Sequence, residues 1–462
     1  VQGLACPVMY TDHKDRPIPV PILHSLSEGL SPAEFFANSY GTRKGVYSTK
    51  FATPISGYFN KEVGFVTVDM LCTEDDCKTE AGEESPVTDK ENIGRVLSKP
   101  VKGYPAGTIL TNKILSDLVS SGVQSLIIRS PISCQAKDGI CKKCFGFNEK
   151  GIFPEIGEPV GINSASALTE PFSQGAMDVK HTGGLIGKTK NGIELIQQLL
   201  KVPKNFPMGA TVSSEEGIIQ KIEEAPQGGS YIYVNDVKHY VHPNQEILYK
   251  KDDYIEQGLP LSTGIVNPYD VVKYRGIGEG RKLLADSLKE AYINDDKGNV
   301  LKKHMEVLAR SMINHAEIED GIDFDDNLPG DIISASKLES IYKPKNVSVV
   351  NIDKGIGNYI VKPYLHYSVG TKITPSIKDK LKNFGVKEIE VTDKKPPFNP
   401  IMIRMDDVPA YKDNWIERLY SIHLKQKLIE STQRADTADI HSTHFIPSFI
   451  HGNEIGKSKV KF

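Results

Sequence analysis

The residues with the clearest chemical meaning are the cysteines, which number six in 462 residues. Three of them form the pattern Cys134-x6-Cys141-x2-Cys144. A Cys-x2-Cys pair lets two thiolates reach one metal ion, and tetrahedral zinc takes four such ligands. Cys77 or Cys72 can supply the fourth if the chain folds back, and we favour Cys77. Four thiolates close the coordination shell, so the pattern predicts structural zinc; the alternative is a group of unconnected free thiols.

His181 is a second candidate for chemistry. It follows a run of small residues, 157–179, and precedes Gly183 and Gly184, which are predicted hinges. A histidine beside two glycines does not by itself indicate catalysis. The sequence contains no GxxxxGK[ST], GxSxG or HExxH motif. The residues alone therefore predict no self-contained active site.

Composition predicts a globular protein of several domains. The formal net charge is −3, with 39% hydrophobic and 25% charged residues, which is enough apolar material for a core. No apolar stretch approaches the roughly 18 residues of a membrane span, and the opening lacks the pattern of a secretory signal. We therefore expect a cytoplasmic protein without a membrane partner.

The best-marked helix start is at Ser31. Ser31 is an N-cap candidate, Pro32 suits the first helical position, and Glu34 completes a capping box. The helical pattern continues to about residue 67, but Pro54 lies inside it and deletes one backbone hydrogen bond. Two readings follow: two helices with a loop around Pro54, which the residues alone favour, or one long helix that bends there.

The rest of the chain reads as α+β. A strand is predicted at 125–130, a helix at 193–202 that pairs with 157–179 as a helical hairpin, and a small β domain at 208–264. Further helices are predicted at 268–293, 301–314 and about 413–432, with weak strands at 346–362 and 388–391. No internal repeat is predicted. The expected divisions are 1–30, 31–67, 68–156, 157–207, 208–266, 267–345 and 346–462.

Several strings together resemble one family. LSEGLSPAEFFANSYGTRKGVYSTKFATPISGYFNKEVGFVTVDMLCTEDDC is similar to the bridge-helix region of the β′ subunit of bacterial multisubunit RNA polymerase. IIRSPISCQAKDGICKKCFG resembles its zinc loop, GEPVGINSASALTEPFSQGAMDVKHTGG its first trigger helix, and HMEVLARSM the segment after the trigger loop. The likeness covers about residues 18–345 and is specific, because unrelated motifs occur in the family's order.

The resemblance implies a role for four of these divisions. Residues 31–67 become the bridge helix that crosses the active-site cleft, 68–156 a zinc-stabilised region, 157–207 the trigger loop, and 267–345 the helical region after it. The implied zinc ligands are Cys77, Cys134, Cys141 and Cys144, with Cys72 outside the site. The implied nucleic-acid contacts are Arg43, Lys44, Thr53, Pro54 and Tyr58, and phosphate contacts of this kind are salt-dependent.

The trigger loop of the family folds over the incoming nucleoside triphosphate. By resemblance, Met177 packs on its base, Gln174 helps to sense its sugar, and His181 approaches its phosphates as a positional catalyst or proton donor. Asp178 departs from the family, which commonly has an arginine there. An anion cannot replace that phosphate contact, so the contact is lost or comes from Lys180 or a partner chain.

A larger departure concerns magnesium. The family's NADFDGD-type string, whose aspartates hold Mg²⁺, is absent from these 462 residues. By analogy we expect the C-terminal part of a divided β′, as in the polymerases of giant bacterial viruses, acting in the host cytoplasm. The expected partners are a β′ N-terminal chain with the aspartates, β-like chains, a promoter-specificity subunit, template DNA, nascent RNA and nucleoside triphosphates.

A second hypothesis comes from another class of protein. The chain could keep the β′-like fold and its zinc but have lost catalysis, and serve as an interaction or regulatory protein. Asp178 makes this alternative conceivable. A free-standing zinc enzyme is disfavoured, because a closed four-cysteine shell leaves no open position for water or substrate.

Overall fold

A computed structural model describes most of the chain. It covers residues 4–437 except 5–7, 13–15, 48, 49, 52, 137, 138, 183–189, 204, 205, 295–299, 320–327 and 421–423. It describes the backbone but not the side chains of 53, 172–182, 190–194, 294, 340 and 420. Among the described helices, none combines the length and the apolar character that crossing a bilayer requires.

The described elements mix helices and short strands. The helices are α1 (Pro32–Tyr47), α2 (Thr53–Thr67), α3 (Asn112–Ser120), α4 (Lys142–Phe145), α5 (Val160–Thr182), α6 (Lys190–Lys201), α7 (Pro268–Arg275), α8 (Ile277–Asn294), α9 (Lys302–Met312), α10 (Ala335–Ile341), α11 (Pro375–Asn383) and α12 (Leu424–Arg434). The strands are β1 (Cys72–Glu74), β2 (Glu83–Pro86), β3 (Ser125–Ile128), β4 (Ile140–Cys141), β5 (Gly217–Glu224), β6 (Ser230–Val234), β7 (Val237–Val241), β8 (Tyr254–Ile255), β9 (His315–Ile318), β10 (Ile332–Ser334), β11 (Ser348–Asn351), β12 (Tyr359–Ile360), β13 (Glu388–Thr392) and β14 (Phe398–Ile401).

The largest core joins helices from distant parts of the sequence. α2, α5, α6, α8 and α9 share one apolar cluster, to which they contribute buried side chains that include Val63, Leu168, Leu199, Leu284 and Leu308. The predicted helix at 193–202 is confirmed as α6, and its Ile196, Leu199 and Leu200 are buried as their helical spacing predicts. The core therefore fixes the relative positions of α2 and α5.

The predicted start of the first helix is confirmed. The Ser31 amide donates to Glu34 Oε2 at 2.8 Å and the Glu34 amide donates to Ser31 Oγ at 3.4 Å, which is a capping box. The region forms two helices, α1 and α2, as the residues alone favour, but the break between them is not centred on Pro54, which is the second residue of α2. The interruption lies just before it, where Lys50 and Phe51 are π-helical. A proline has no N–H for the carbonyl four residues earlier, here that of Lys50, which accounts for the position of the break.

Two segments of the chain have the same fold, which contradicts the expectation of no repeat. In the first module, residues 83–130, the Leu97 amide bonds the Thr108 carbonyl and α3 leads into β3. In the second module, residues 346–393, the Ile360 amide bonds the Thr371 carbonyl and α11 leads into β13. The equivalent residues are a constant distance apart in sequence. They include the left-handed pairs Gly94 and Gly357, Gly107 and Gly370, and Gly122 and Gly385, and the N-caps Thr111 and Thr374.

The two modules pack side by side. Ile127 of the first enters the apolar core of the second, and Lys99 Nζ donates to the Phe384 carbonyl at 3.0 Å. The second module also holds the small β domain. Lys372 pairs with Glu216 at 2.7 Å, and the Ser376 hydroxyl donates to the buried Glu256 at 2.6 Å. The second module is thus a brace between the first module and the β domain.

The small β domain is confirmed as a four-stranded sheet in the order β7-β6-β5-β8. The helix predicted at 268–293 is instead two helices, α7 and α8, because Gly276 ends α7 at φ +90°. The helix predicted at about 413–432 begins later, since α12 starts at Leu424.

Helix α5 crosses α2 at a distance that only glycine permits. A Cβ on Gly161 would lie 1.9 Å from the Thr67 carbonyl oxygen, whereas a Cβ on Gly64 of α2 would meet nothing within 4 Å. We predict that Gly161→Ala lowers the free energy of unfolding by about 1–3 kcal/mol, because the helices must separate. The control Gly64→Ala should leave it unchanged or raise it by up to about 1 kcal/mol. Urea unfolding of the purified chain measures both, and equal effects would contradict this account.

Candidate metal centre and helix pair

Four cysteines meet at one point of the structure. The sulfur atoms of Cys77, Cys134, Cys141 and Cys144 all lie within 4.8 Å of one another. Cys77 Sγ is 3.7 Å from Cys144 Sγ and 3.8 Å from Cys134 Sγ. A tetrahedron with Zn–S bonds of about 2.3 Å has sulfur–sulfur edges of about 3.8 Å. The cluster therefore has the donor set and the spacing to hold a metal ion such as zinc.

Backbone pairing brings the two halves of the cluster together. Strand β1, which precedes Cys77, pairs in parallel with β4, which contains Cys141. Gly139 makes this possible, because a Cβ there would lie 2.2 Å from the Leu71 carbonyl oxygen. Cys141 is also the N-cap of α4 and accepts the Cys144 amide, so the short helix orients both sulfurs.

Cys72 lies outside the cluster, in agreement with the choice of Cys77. It is a buried thiol on β1, and burial raises its pKa to about 12. Within the cluster, burial raises the pKa of Cys144, whereas hydrogen bonds from the other thiols hold the pKa of Cys77 far below its usual value.

Helix α9 fixes the cluster from outside. Arg310 is buried and its guanidinium donates to the carbonyl oxygens of Pro131, Cys134 and Ala136, with distances of 3.2, 2.5 and 3.2 Å. Sequence analysis predicted a helix at 301–314 but gave Arg310 no role. The available signal was the position of an arginine inside a predicted helix. A guanidinium that becomes buried there needs several acceptors.

Glu306 extends the same connection to the first module. Its carboxylate accepts from Arg95 at 2.8 Å and from the Ser130 hydroxyl at 2.9 Å. All three side chains are buried, and a buried ion pair with additional hydrogen bonds requires accurate geometry. Helix α9, the first module and the loop of Cys134 are therefore held as one unit.

The candidate nucleic-acid residues lie along α1 and α2. Arg43, Pro54 and Tyr58 are exposed, and the Arg43 guanidinium lies 5.8 Å from the centre of the Tyr40 ring. Lys44 is half-buried, and its ammonium donates to Thr11 Oγ1 at 2.9 Å. The side chain of Thr53 lies outside the described residues.

Exposed aromatic side chains follow the same helices and were missed by sequence analysis. Phe36 and Tyr40 pack edge to face at 5.5 Å, and Tyr47 and Phe51 stack at 5.3 Å. Phe36, Tyr47 and Phe51 are each more than half exposed. Exposed rings beside a cation suit base stacking and phosphate contact. Their four-residue spacing was the available signal.

Helix α5 contains the three candidate catalytic residues. Gln174, Met177 and His181 belong to its C-terminal part, but their side chains lie outside the described residues. The predicted hinges Gly183 and Gly184 also lie outside the described residues.

The N-terminal part of α5 is anchored on three sides. The Thr169 hydroxyl donates to Asn60 Oδ1 of α2 at 2.8 Å, and Ser164 Oγ lies 3.0 Å from His304 Nδ1 of α9. The Tyr292 hydroxyl of α8 donates to the Leu168 carbonyl at 2.5 Å. The candidate catalytic residues therefore extend from a rigid base.

Comparison with known proteins decides the family. The model for RNA polymerase Rpb1, domain 5, matches residues 29–326, which include α1, α2, the four cysteines, α5 and α9. The chain belongs to the RNA polymerase Rpb1 domain 5 family. The matched span ends at residue 326, and the second module, residues 346–393, lies outside it.

Curated relatives are named DNA-directed RNA polymerase subunit beta'. That of Acetivibrio thermocellus is 29% identical over 360 residues, with 72% of this chain and 30% of the relative covered. That of Kineococcus radiotolerans is 30% identical, with 71% and 27% covered, and that of Moorella thermoacetica is 31% identical, with 72% and 30% covered. The chain is thus β′-like, and it spans about three tenths of the length of these relatives.

The cysteine cluster makes a direct prediction. Cys141→Ser should lower the bound metal to less than about a tenth of an equivalent, because loss of one thiolate opens the closed shell. Cys72→Ala, a change at a buried cysteine outside the cluster, should leave about one equivalent bound. Elemental analysis of the purified proteins measures both. Equal metal content in the two variants would contradict the assignment of the ligands.

Proposed function

We propose that the chain is part of a β′-type subunit of a DNA-directed RNA polymerase and supplies a bridge helix and a trigger helix for nucleotide addition. The observation that carries the proposal is the packing of α2 against the base of α5 in one core with α9, within the span matched by the family. Nucleotidyl transfer needs template and substrate in fixed relative positions. A rigid helix pair with candidate substrate residues on its outer part suits that task.

Helices α1 and α2 would form the bridge helix. Arg43 and Lys44 would meet phosphates, while Thr53, Pro54 and Tyr58 would lie against the template. The exposed aromatic rings and the Arg43 guanidinium support contact with bases and backbone. The π-helical break before Pro54 supplies a place where the helix can change its bend.

Helices α5 and α6 would form the trigger hairpin. Met177 would cover the base of the incoming nucleotide, Gln174 would contact the sugar, and His181 would orient the phosphates or donate a proton to the leaving pyrophosphate. Asp178 would leave one phosphate contact to Lys180 or to a partner chain. The anchored base of α5 supports this proposal, because it fixes where these residues can reach.

Two metals would serve the enzyme in different ways. Zinc, held by Cys77, Cys134, Cys141 and Cys144, would stabilise the fold around α9. Magnesium would be held by carboxylates outside these 462 residues, where it would neutralise charge on the transferred phosphoryl group. This chain would contribute orientation of the substrate and exclusion of water.

The proposed assembly contains a β′ N-terminal segment with the aspartates, β-like chains, DNA, RNA, nucleoside triphosphates and a promoter-specificity subunit. We extend the proposal to a divided β′ of a giant bacterial virus that works in the host cytoplasm. This extension rests on the family resemblance. Sequencing the surrounding genome tests it, and a cellular gene continuous with the aspartate-bearing segment would overturn it.

A catalytically inactive interaction or regulatory protein is the second candidate. Asp178, in place of the usual arginine, favours it. The two candidates differ in what replacement of Met177 and His181 would do. It would impair the enzyme and would leave the function of an interaction or regulatory protein intact.

The enzyme proposal predicts a slow His181→Ala variant. Its single-nucleotide addition rate should fall by at least about tenfold, because a positioned acid or phosphate contact contributes a hundredfold or more. His242→Ala, a change at an exposed histidine of the β domain, should keep the rate within about twofold. Rapid-quench extension of an RNA–DNA scaffold by the assembled complex measures both. An unchanged rate in His181→Ala would favour the inactive candidate.

A further inference from the structure

Arg129 is a buried cation at the cysteine cluster that sequence analysis did not use. It directly follows β3 of the first module, and its side chain is only 6% exposed. The second module has the same fold without a cysteine cluster, and the equivalent residue there is Thr392. The repeat is an internal comparison, and the arginine occurs only in the copy that carries the metal centre.

The guanidinium of Arg129 contacts three of the four sulfurs. Nε lies 3.3 Å from Cys144 Sγ, and Nη2 lies 3.2 Å from Cys77 Sγ and 3.8 Å from Cys141 Sγ. The fourth sulfur, of Cys134, accepts the Cys141 amide at 3.4 Å. Nη2 also pairs with Asp76 Oδ1 at 2.8 Å, which fixes the orientation of the guanidinium.

Charge explains why a cation is needed there. Four thiolates around one divalent ion have a net charge of about −2, and burying an uncompensated charge is costly. An arginine presents several donors in a fixed plane and stays charged, so one side chain can serve several sulfurs. Cys134, Cys141 and Cys144 are buried, whereas Cys77 is half-buried and is therefore the sulfur most open to attack.

We propose that Arg129 is the positioning residue of the metal centre. It orients three ligand sulfurs and withdraws electron density from them through N–H···S hydrogen bonds, so that zinc is held more tightly and Cys77 is less nucleophilic. Groups that contact metal ligands typically change metal affinity 10- to 100-fold when they are removed. The proposal rests on the proposed zinc centre and does not depend on polymerase activity.

The test compares Arg129→Gln and Arg129→Lys with the matched control Arg275→Lys. The side chain of Arg275 is 8% exposed and pairs with the buried Glu256 at 3.2 Å instead of with sulfur. Zinc release to a chromogenic chelator is followed after addition of N-ethylmaleimide to the 462-residue chain. We expect release about tenfold faster in Arg129→Gln, an intermediate rate in Arg129→Lys, and a rate within about twofold of the parent in Arg275→Lys.

A spectroscopic measurement separates this role from general destabilisation. In the cobalt-substituted proteins, the thiolate-to-cobalt absorption band should move to lower energy in both Arg129 variants and stay in place in Arg275→Lys. If Arg129→Gln does not fold, the band and release rate of Arg129→Lys decide. Unchanged band and release in a folded Arg129 variant overturn the proposal. A parent protein that binds no zinc overturns both this proposal and the zinc assignment, whatever its elongation rate.

Discussion

The structure depends most on the close crossing of α5 over the C-terminal end of α2. There the Gly161 amide donates to the Met70 carbonyl at 2.7 Å, and the Thr67 hydroxyl donates to the Gly161 carbonyl at 3.0 Å. A side chain at Gly161 would separate the helices, and the shared core with α6, α8 and α9 would lose its fit. Because backbone atoms meet directly, the direction in which α5 leaves the core is fixed. That direction determines where the outer part of α5 can act.

The cysteine cluster is connected to the same crossing. The Cys72 amide bonds the Glu158 carbonyl at 2.9 Å and the Gly157 amide bonds the Cys72 carbonyl at 2.7 Å, so β1 and the start of α5 are joined just beyond the crossing. Arg310 holds the loop of Cys134 from α9, and α9 also contacts α5 through His304. A metal ion in the cluster would therefore stabilise the base of α5 although it lies apart from the candidate catalytic residues.

Local signals explain which parts of the fold were predictable from sequence. The capping box of Ser31 and Glu34, the apolar face of α6 and the Cys-x2-Cys pair act within a few residues, and the structure confirms each. The contacts of Arg129 and Arg310 join segments far apart in the chain, so spacing could not show them. The repeat was missed because its copies share mainly turn glycines, helix caps and alternating apolar residues, which fix a backbone without fixing side chains. The helix breaks before Pro54 because the Lys50 carbonyl, four residues earlier, has no N–H donor. The sequence pattern instead placed the break around Pro54 itself.

The second module lies outside the residues matched by the family model, and it braces the β domain against the first module. We propose that the shared helical core works beside the magnesium-binding aspartates of an NADFDGD-type string, which is absent from these 462 residues. Purification of the protein from its source at moderate salt, followed by identification of every polypeptide present, tests that claim most directly. We expect stoichiometric amounts of a polypeptide segment with a DFDGD-type motif and of β-like chains. Recovery of the folded, metal-loaded protein without any such segment would contradict the account.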